Sequence, residues 1–252
     1  IGANGAGKTT TIRSILHLIS HEAGTIKFKG KDILKTEKSF KDSIGVVFDE
    51  GFFYDELTLT QMKNLIASSY SHWDNGAYTH YLDAFSLRPD QTISSLSRGM
   101  KMKFSLALAL SHHAELLIMD EPTTGLDPVV RDEILHLFME YIRDGERYIL
   151  MSSHITSDLE RIADYITFIH QGKVLLSENK DEILYGYGIA KAGREQLHRV
   201  DRTLVAAIQD TPYGSEALIT DRERFEREYP DIVLDPVDFD EMMVLLCRGQ
   251  KL

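Results

Sequence analysis

The strongest constraint on the fold lies at the start of the chain, where Gly2–Thr9 reads G-A-N-G-A-G-K-T and fits the pattern G-x-x-x-x-G-K-[ST]. Glycines let backbone N–H groups close around an anion, and the N-terminus of the following helix adds a partial positive charge. The motif predicts a phosphate-binding loop in which Lys8 reaches phosphate oxygens and the Thr9 hydroxyl ligates Mg²⁺. The other predicted phosphate contacts are Asn4, Gly5, Ala6, Gly7 and Thr10. The alternative is a glycine-rich turn that carries Lys-Thr by chance. Such a loop ordinarily follows a buried strand, which we expect upstream of Ile1.

Composition narrows the class of protein. The chain has 252 residues, of which 43% are hydrophobic and 27% charged, as in a globular protein with a large core. A formal net charge of -11 disfavours general binding to nucleic acid, which needs a basic face. The apolar stretches, such as Phe104–Leu110 and Leu116–Met119, are far shorter than the roughly 20 residues that span a bilayer. Action at a membrane would therefore require docking on another chain. The single cysteine, Cys247, excludes an internal disulfide and fits a reducing compartment.

The order of hydrophobic patterns predicts an α/β fold with a mainly parallel sheet, because strands and helices alternate along the chain. We predict helices at Lys8–Leu18, Thr60–Phe85, Gly99–Ser111, Pro128–Ile142 and Thr156–Ala163, strands at Ile44–Phe48, Leu116–Met119 and Tyr148–Ser152, and a hairpin of Tyr165–His170 and Lys173–Ser177. The stretch Thr60–Ser97 interrupts the alternation, so residues from about 60 to 113 are predicted to form an inserted helical subdomain. Residues 1–184 form the predicted main domain. Residues 185–252 form a small C-terminal α/β appendage to which no chemistry is assigned, with a strand predicted at Ala217–Thr220 and helices at Asp221–Glu228 and Phe239–Cys247.

Two acids follow the most apolar predicted strand, Leu116–Met119. The carboxyl edge of a parallel sheet is where open α/β folds bind ligands. We expect Asp120 to hold Mg²⁺ and Glu121 to act as the general base that polarises an attacking water. The alternative is a strand that simply ends in a solvated acid pair, and the phosphate-loop motif disfavours it.

Three further motifs carry a resemblance to a known family. Ser95–Met100 (S-L-S-R-G-M) resembles the L-S-G-G-Q signature of ABC-type ATPases, with Arg98 and Met100 as variants. Pro122–Pro128 resembles the D-loop of that family, and Ser152-Ser153-His154 resembles its switch histidine. With the phosphate loop and the acid pair, these motifs stand in the family's order. The resemblance covers the chain from Gly2 to about Ser177 and implies a P-loop NTPase core.

The resemblance also implies a mechanism. Two ATPase domains of this family pair head to tail, with each ATP between the phosphate loop of one and the signature of the other. By that likeness, Ser97 and Gly99 would contact the γ-phosphate held by the partner, Asp127 would cross the interface and His154 would sense the γ-phosphate. The cofactors implied are ATP and Mg²⁺. The partners implied are a separate transmembrane permease and a second copy or a related ATPase subunit. Ser97 could instead be a plain helix N-cap, and His154 a polar strand end.

The chain departs from the family pattern at Asp49, which stands where the family has a glutamine that contacts Mg²⁺. Its carboxylate could ligate the metal or could stay solvated. The aromatic run Phe52-Phe53-Tyr54 follows, where the family borders a groove for a helix of the membrane subunit. These three rings suit either that contact or packing between the two lobes. His112-His113 is expected to be a partly exposed helix end rather than a metal site.

The leading hypothesis is therefore the ATP-hydrolysing subunit of an ABC exporter, peripheral on the inner face of the plasma membrane. One alternative is a soluble ABC-type ATPase that acts on nucleic acid or ribosomes. The members that repair DNA carry long coiled-coil insertions, and those linked to translation usually hold two ATPase domains in one chain; neither feature is present here. A second alternative is a nucleotide sensor without turnover, which the presence of Glu121 disfavours.

Overall fold

The computed structural model describes residues 1–48 and 52–250. The chain divides into two compact units. The first is Lys8–Ser153, and the second joins Ile1–Gly7 to the residues from His154 onward. Elements are numbered in chain order.

The first unit holds the motifs from Lys8 to the D-loop. Its helices are α1 (Lys8–Ile15), α2 (Glu37–Ser43), α3 (Leu59–Ala67), α4 (Asn75–Ala84), α5 (Arg98–Leu110) and α6 (Pro128–Ile142). Its strands are β1 (Lys27–Phe28), β2 (Lys31–Asp32), β3 (Ile44–Val47), β4 (Leu116–Asp120) and β5 (Tyr148–Ser152).

A three-stranded parallel sheet in the order β3-β4-β5 forms the centre of this unit. Leu117, Ile118 and Met119 in the middle strand are fully buried, as expected for a parallel strand covered on both faces. Because the strands are parallel, their carboxyl ends lie at one edge, where Asp120 stands opposite Ser152. The prediction of an α/β fold with a parallel sheet is confirmed.

Helix α1 packs on this sheet through Ile12, and Leu16, directly after the helix, joins it in a buried cluster with Ile44 and Ile118. The predicted helix continued to Leu18, but the observed one ends at Ile15. His17 has a φ of 55°, a left-handed backbone angle that cannot continue an α-helix.

The inserted helical subdomain has a core of its own. Leu59 and Met62 of α3, Tyr78 and Leu82 of α4 and Phe104 of α5 belong to one buried cluster. The prediction of a single long helix over Thr60–Phe85 is wrong, because the segment forms two helices, α3 and α4, with a non-helical connection between them. Asp74 starts α4 by accepting hydrogen bonds from the backbone N–H groups of Gly76 (2.7 Å) and Ala77 (3.0 Å).

The second unit contains the remaining elements. Its helices are α7 (Thr156–Ile162), α8 (Lys180–Gly186), α9 (Arg194–Leu197), α10 (Arg222–Glu228) and α11 (Phe239–Arg248). Its strands are β6 (Tyr165–His170), β7 (Lys173–Asn179), β8 (Gly188–Ala192), β9 (Val205–Thr211), β10 (Gly214–Ile219) and β11 (Val233–Asp235). The hairpin β6–β7 turns at Gln171-Gly172 as predicted, with φ angles of 48° and 73°.

The appendage is an antiparallel sheet in the order β11-β8-β10-β9 with helices packed on it. Leu197, Ile208, Ala217 and Phe225 share its buried cluster. Sequence patterns predicted β10, α10 and α11 but missed β8, β9 and β11. The boundary predicted at residue 184 falls inside α8 and stays a prediction.

In the described part of the chain, none of the helices combines the length and the hydrophobicity that a transmembrane span requires.

Candidate active site

The phosphate-loop motif begins in the second unit, where Ile1–Gly7 lies along strand β6. The N–H of Ile169 donates to the carbonyl of Ile1 (2.9 Å), and the N–H of Gly172 donates to the carbonyl of Ala6 (2.8 Å). Gly5 and Gly7 have φ angles of 79° and 112°, which side chains other than glycine rarely adopt. These bonds and angles set the loop's path until Lys8 begins α1.

The loop residues differ in exposure. Asn4, Gly5 and Thr10 are exposed, Gly7 and Thr9 are half-buried, and Ala6 is buried. The exposed backbone of Asn4 and Gly5 is open to a ligand in solution. Thr9 follows Lys8 in the first turn of α1, where helix N–H groups lack partners within the helix.

Lys8 is the buried cation of the site. Its ammonium Nζ lies 3.2 Å from Oε1 of Glu121, and the two side chains are only 8% and 14% exposed. The structure thus brings together two residues that are 113 positions apart in the sequence and that were predicted to serve one reaction. An ion pair so little exposed is weakly screened by salt.

Glu121 has an unusual backbone, because its φ of 51° lies in the left-handed region that non-glycine residues rarely adopt. Its second carboxylate oxygen, Oε2, accepts a hydrogen bond from the Thr124 hydroxyl at 2.9 Å. Both oxygens of the predicted base therefore have partners in the first unit, Lys8 and Thr124. Backbone strain of this kind costs about 1–3 kcal/mol and persists where the surrounding structure enforces it.

Asp120 is the last residue of β4 and is buried. The hydroxyl of Ser152, its neighbour in β5, donates to Asp120 Oδ1 at 2.5 Å. A buried carboxylate needs such a donor to offset its lost hydration. Sequence reasoning missed Ser152 and Thr124 as contacts of the acids. The only signal was that both stand inside the motifs that follow the acid pair.

The signature and the D-loop both begin helices. Ser97 is the N-cap of α5 and accepts a hydrogen bond from the N–H of Met100 at 3.3 Å. Asp127 is the N-cap of α6 and accepts from the N–H groups of Val129 and Val130, each at 3.1 Å. The plain N-cap interpretation of Ser97 therefore holds in this structure, and its predicted role toward a partner's nucleotide stays a prediction.

The two helix starts pack together in the first unit. A Cβ atom added at Gly99 would lie 3.2 Å from Cγ1 of Val130, which is tight contact. Glycine at this position therefore permits close packing of the signature helix on α6.

His154 and Asp49 are less informative. His154 lies in the turn between β5 and α7, is exposed, and is the first residue of this stretch of the second unit. Asp49 lies outside the described residues. The predicted roles of both residues stay predictions.

The three rings of the aromatic run Phe52-Phe53-Tyr54 differ in exposure. Phe53 packs on Phe104 of the helical subdomain, with ring centroids 5.2 Å apart. Phe52 and Tyr54 are 71% and 63% exposed, and Phe52 lies edge-on to Phe48 at 5.3 Å. One ring is thus committed to packing, and the other two are open to solvent.

The expectation of a partly exposed His112-His113 pair is wrong for His112, which is buried. Its Nε2 donates to the carbonyl of Ile44 (2.9 Å), and the ring of Tyr70 stacks on it at 3.8 Å. Burial lowers the pKa of the His112 imidazole. Among the described residues, no group of three or more His, Cys, Asp or Glu side chains could hold a metal ion.

The chain resembles proteins of known class. A family described as "ABC transporter" matches residues 1–124. The bacitracin transport ATP-binding protein BcrA of Bacillus licheniformis is 36% identical over 177 residues, which are 69% of this chain and 58% of that protein. The match therefore spans less than two thirds of that relative's length.

Two further matches cover a larger share of the matched protein's length. The ABC transporter ATP-binding protein YtrB of Bacillus subtilis is 30% identical over 263 residues, covering 100% of this chain and 88% of that protein. That match reaches through the C-terminal appendage. A solved ATP-binding subunit of an ABC transporter is 31% identical and has a TM-score of 0.65, covering 73% of this chain and 78% of the other.

Proposed function

Because this chain belongs to the family of ABC transporter ATP-binding proteins, we propose that it binds and hydrolyses ATP as the motor subunit of a membrane exporter. The observation that carries the proposal is the ion pair between Lys8 and Glu121. It joins the lysine of the phosphate-loop motif to a carboxylate at the carboxyl end of the central strand. ATP hydrolysis needs a cation for the phosphates and a base for water at such a place.

In this proposal, the backbone N–H groups from Asn4 to Thr10 hold the phosphates, and the positive end of the α1 helix dipole adds to their attraction. The ammonium of Lys8 moves its contact from Glu121 to the β- and γ-phosphates when ATP binds. Glu121, no longer paired with Lys8, then accepts a proton from the attacking water. His154 contacts the γ-phosphate.

The residues present suit Mg²⁺. The Thr9 hydroxyl and the Asp120 carboxylate are hard oxygen donors, and the described residues offer no larger protein cage. Magnesium in nucleotide sites takes one or two protein ligands and completes its shell with phosphates and water. When bound, the ion neutralises charge on the phosphates. Asp49 remains a third proposed ligand.

The active form is proposed to be a dimer, of two copies or with a related subunit. Ser97 and Gly99 at the start of α5 bind the nucleotide of the partner, and Asp127 reaches across the interface. The dimer closes when both subunits contact the charged γ-phosphate of ATP, and it opens after hydrolysis removes that group.

A separate transmembrane permease is the proposed partner, which would hold the subunit at the inner face of the plasma membrane. A groove of about 400 Å³ in the first unit suits one amphipathic helix of that partner. Its apolar lining consists of Leu16, Leu18, Ile44, Val46, Phe48 and Tyr70. Lys38, Lys41 and Asp42 add charge to the lining. The exposed ring of Phe52 contacts Phe48 and extends the apolar surface.

Export, rather than import, is proposed from the relatives whose names concern bacitracin and lantibiotic transport. A peptide antibiotic or a lipid is the proposed cargo class.

The test measures ATP binding and phosphate release by the purified chain. We expect Glu121→Gln to bind ATP as wild type does, to release phosphate at least about 100-fold more slowly, and to accumulate as dimers in light scattering. Lys8→Ala should weaken ATP binding by about 10- to 100-fold, because it removes a charge-assisted contact worth about 1.5–3 kcal/mol.

Surface variants serve as controls. Lys63→Ala in α3 and Glu133→Gln in α6 remove the same side-chain types from exposed contacts with Asn75 and Lys103. Both should match wild type. Normal turnover by Glu121→Gln would refute the assigned base. Binding without any phosphate release by wild type would instead support the nucleotide sensor.

A further inference from the structure

Ser152 at the end of β5 touches both acids of the candidate active site. The parallel register places it directly opposite Asp120, and its side chain is buried. Its hydroxyl donates its single proton to Asp120 Oδ1 (2.5 Å) and accepts from the N–H of Glu121 (3.0 Å). One small side chain therefore links two neighbouring carboxylate residues at once.

The bond to Asp120 has a directional consequence. A hydroxyl has one proton, and Ser152 donates it to Oδ1 of Asp120, so this bond restricts the rotation of the carboxylate. We therefore expect the other oxygen, Oδ2, to face the cation. Hydrogen-bonded partners of a ligating carboxylate fix its orientation and its affinity for the metal.

The bond to Glu121 acts on the backbone. The N–H of Glu121 is shared between the hydroxyl of Ser152 and the Ser152 carbonyl, which lies at 3.2 Å. This shared bond holds the N–H of a residue with a φ of 51°. The direction in which the Glu121 side chain leaves the main chain depends on that angle. Without the Ser152 hydroxyl, the N–H of Glu121 still donates to the Ser152 carbonyl, so the pairing at the end of β4 is kept. The backbone of Glu121 nevertheless loses one of these two hydrogen bonds.

We propose that Ser152 is a positioning residue that orients Asp120 toward magnesium and Glu121 toward the attacking water. The inference rests on the proposed ATPase function. Ser152 itself touches neither nucleotide nor metal and acts only through the two acids.

The test compares Ser152→Ala, Ser152→Cys and Ser152→Thr with wild type. The first readout is the magnesium concentration that half-saturates ATP binding, followed with a fluorescent ATP analogue. The second is the rate of phosphate release at saturating ATP and magnesium, and the third is the melting temperature. We expect Ser152→Ala to need about 10-fold more magnesium and to turn over about 10-fold more slowly. ATP binding in EDTA should stay within about twofold of wild type, because the phosphate loop is unchanged.

The other two variants separate hydrogen bonding from volume. Cysteine keeps the size of serine but is a weak donor, so Ser152→Cys should follow alanine. Threonine keeps the hydroxyl, so Ser152→Thr should return toward wild type in both magnesium dependence and rate. If threonine does not fold, the comparison of alanine with cysteine still decides between the two explanations.

Ser111→Ala is the matched control, because Ser111 is also buried and donates to a backbone carbonyl, that of Ala107. It should lower the melting temperature without changing the magnesium dependence. Wild-type magnesium dependence and rate in Ser152→Ala, or wild-type behaviour in Ser152→Cys, would overturn the inference alone. A wild-type chain that does not bind ATP with magnesium would overturn both this inference and the proposed function.

Discussion

At the scale of single residues, the carboxylate of Glu121 is held at both ends. Oε1 meets the ammonium of Lys8 and Oε2 accepts from the hydroxyl of Thr124. A bound nucleotide would attract Lys8 away from Glu121. Thr124 lies three residues after Glu121 in the same turn, so its hydrogen bond to Glu121 can be kept. Thr124 is therefore suited to hold the base in position while its ion pair with Lys8 is broken.

The matching prediction concerns Thr124→Val, which keeps the shape of the side chain and removes the hydroxyl. We expect phosphate release to slow about 10- to 100-fold, because the loss of one hydrogen bond to a charged group is worth about 1.5–3 kcal/mol. ATP affinity should not change. Thr124→Ser keeps the hydroxyl and should retain most of the rate. Equal rates in the valine variant and wild type would show that Lys8 and the backbone orient the base without Thr124.

At the scale of helices and strands, the signature and the D-loop each do two things. Ser97 and Asp127 start α5 and α6, and the two helix starts touch through Gly99 and Val130. A change that loosens one cap therefore reaches the surface proposed to meet the partner. Stability and dimer contacts must be separated before a functional loss at these positions is interpreted.

Asp127 offers that separation, because asparagine caps helices as well as aspartate does. We expect Asp127→Ala to lower the free energy of unfolding by about 1 kcal/mol and Asp127→Asn to leave it nearly unchanged. If the carboxylate acts across the dimer interface, both variants should reduce ATP-driven dimer formation. Denaturant unfolding and light scattering with ATP measure the two effects. Normal dimers in the asparagine variant would limit Asp127 to capping.

At the scale of the whole molecule, several carboxylates are tied down by donors on the surface. The pKa of Asp201 is lowered by the N–H and hydroxyl of Thr203 and by Arg224, that of Asp210 mainly by Ser215, and that of Asp74 mainly by the N–H of Ala77. These contacts occur in both units. The chain also carries 39 acidic against 28 basic residues.

The sign of the pH dependence follows from these lowered values. A carboxylate with a lower pKa in the folded state stabilises it above the unfolded pKa, about 3.9 for aspartate. That stabilisation is lost as the pH falls through the folded value. We therefore expect these groups to change the urea concentration at the unfolding midpoint little between pH 7 and pH 5. At pH values below about 4, this midpoint should decrease. Asp201→Asn replaces the carboxyl group with an amide that does not titrate, so this variant should show a smaller fall between pH 4 and pH 3. An equal fall would contradict the assignment.

The motifs by themselves determined the class of protein and the core fold. The phosphate loop with Lys8 and the acid pair Asp120-Glu121 are short-range motifs, and their chemistry follows from residue type and spacing. The pattern of apolar runs likewise predicted the strands β3, β4 and β5 to within one residue at each end. Strands β8, β9 and β11 were missed; β11 is an edge strand of three residues, and so short a strand carries little periodic signal.

Only the tertiary structure decided which side chains support the acids and how the helices begin and end. The contact of Ser152 with Asp120 spans 32 residues and depends on the register of β4 against β5. The burial of His112 depends on Tyr70 and Ile44, which lie far from it along the chain. Register and packing are set by the sum of many weak contacts between distant segments, and no local pattern contains that sum.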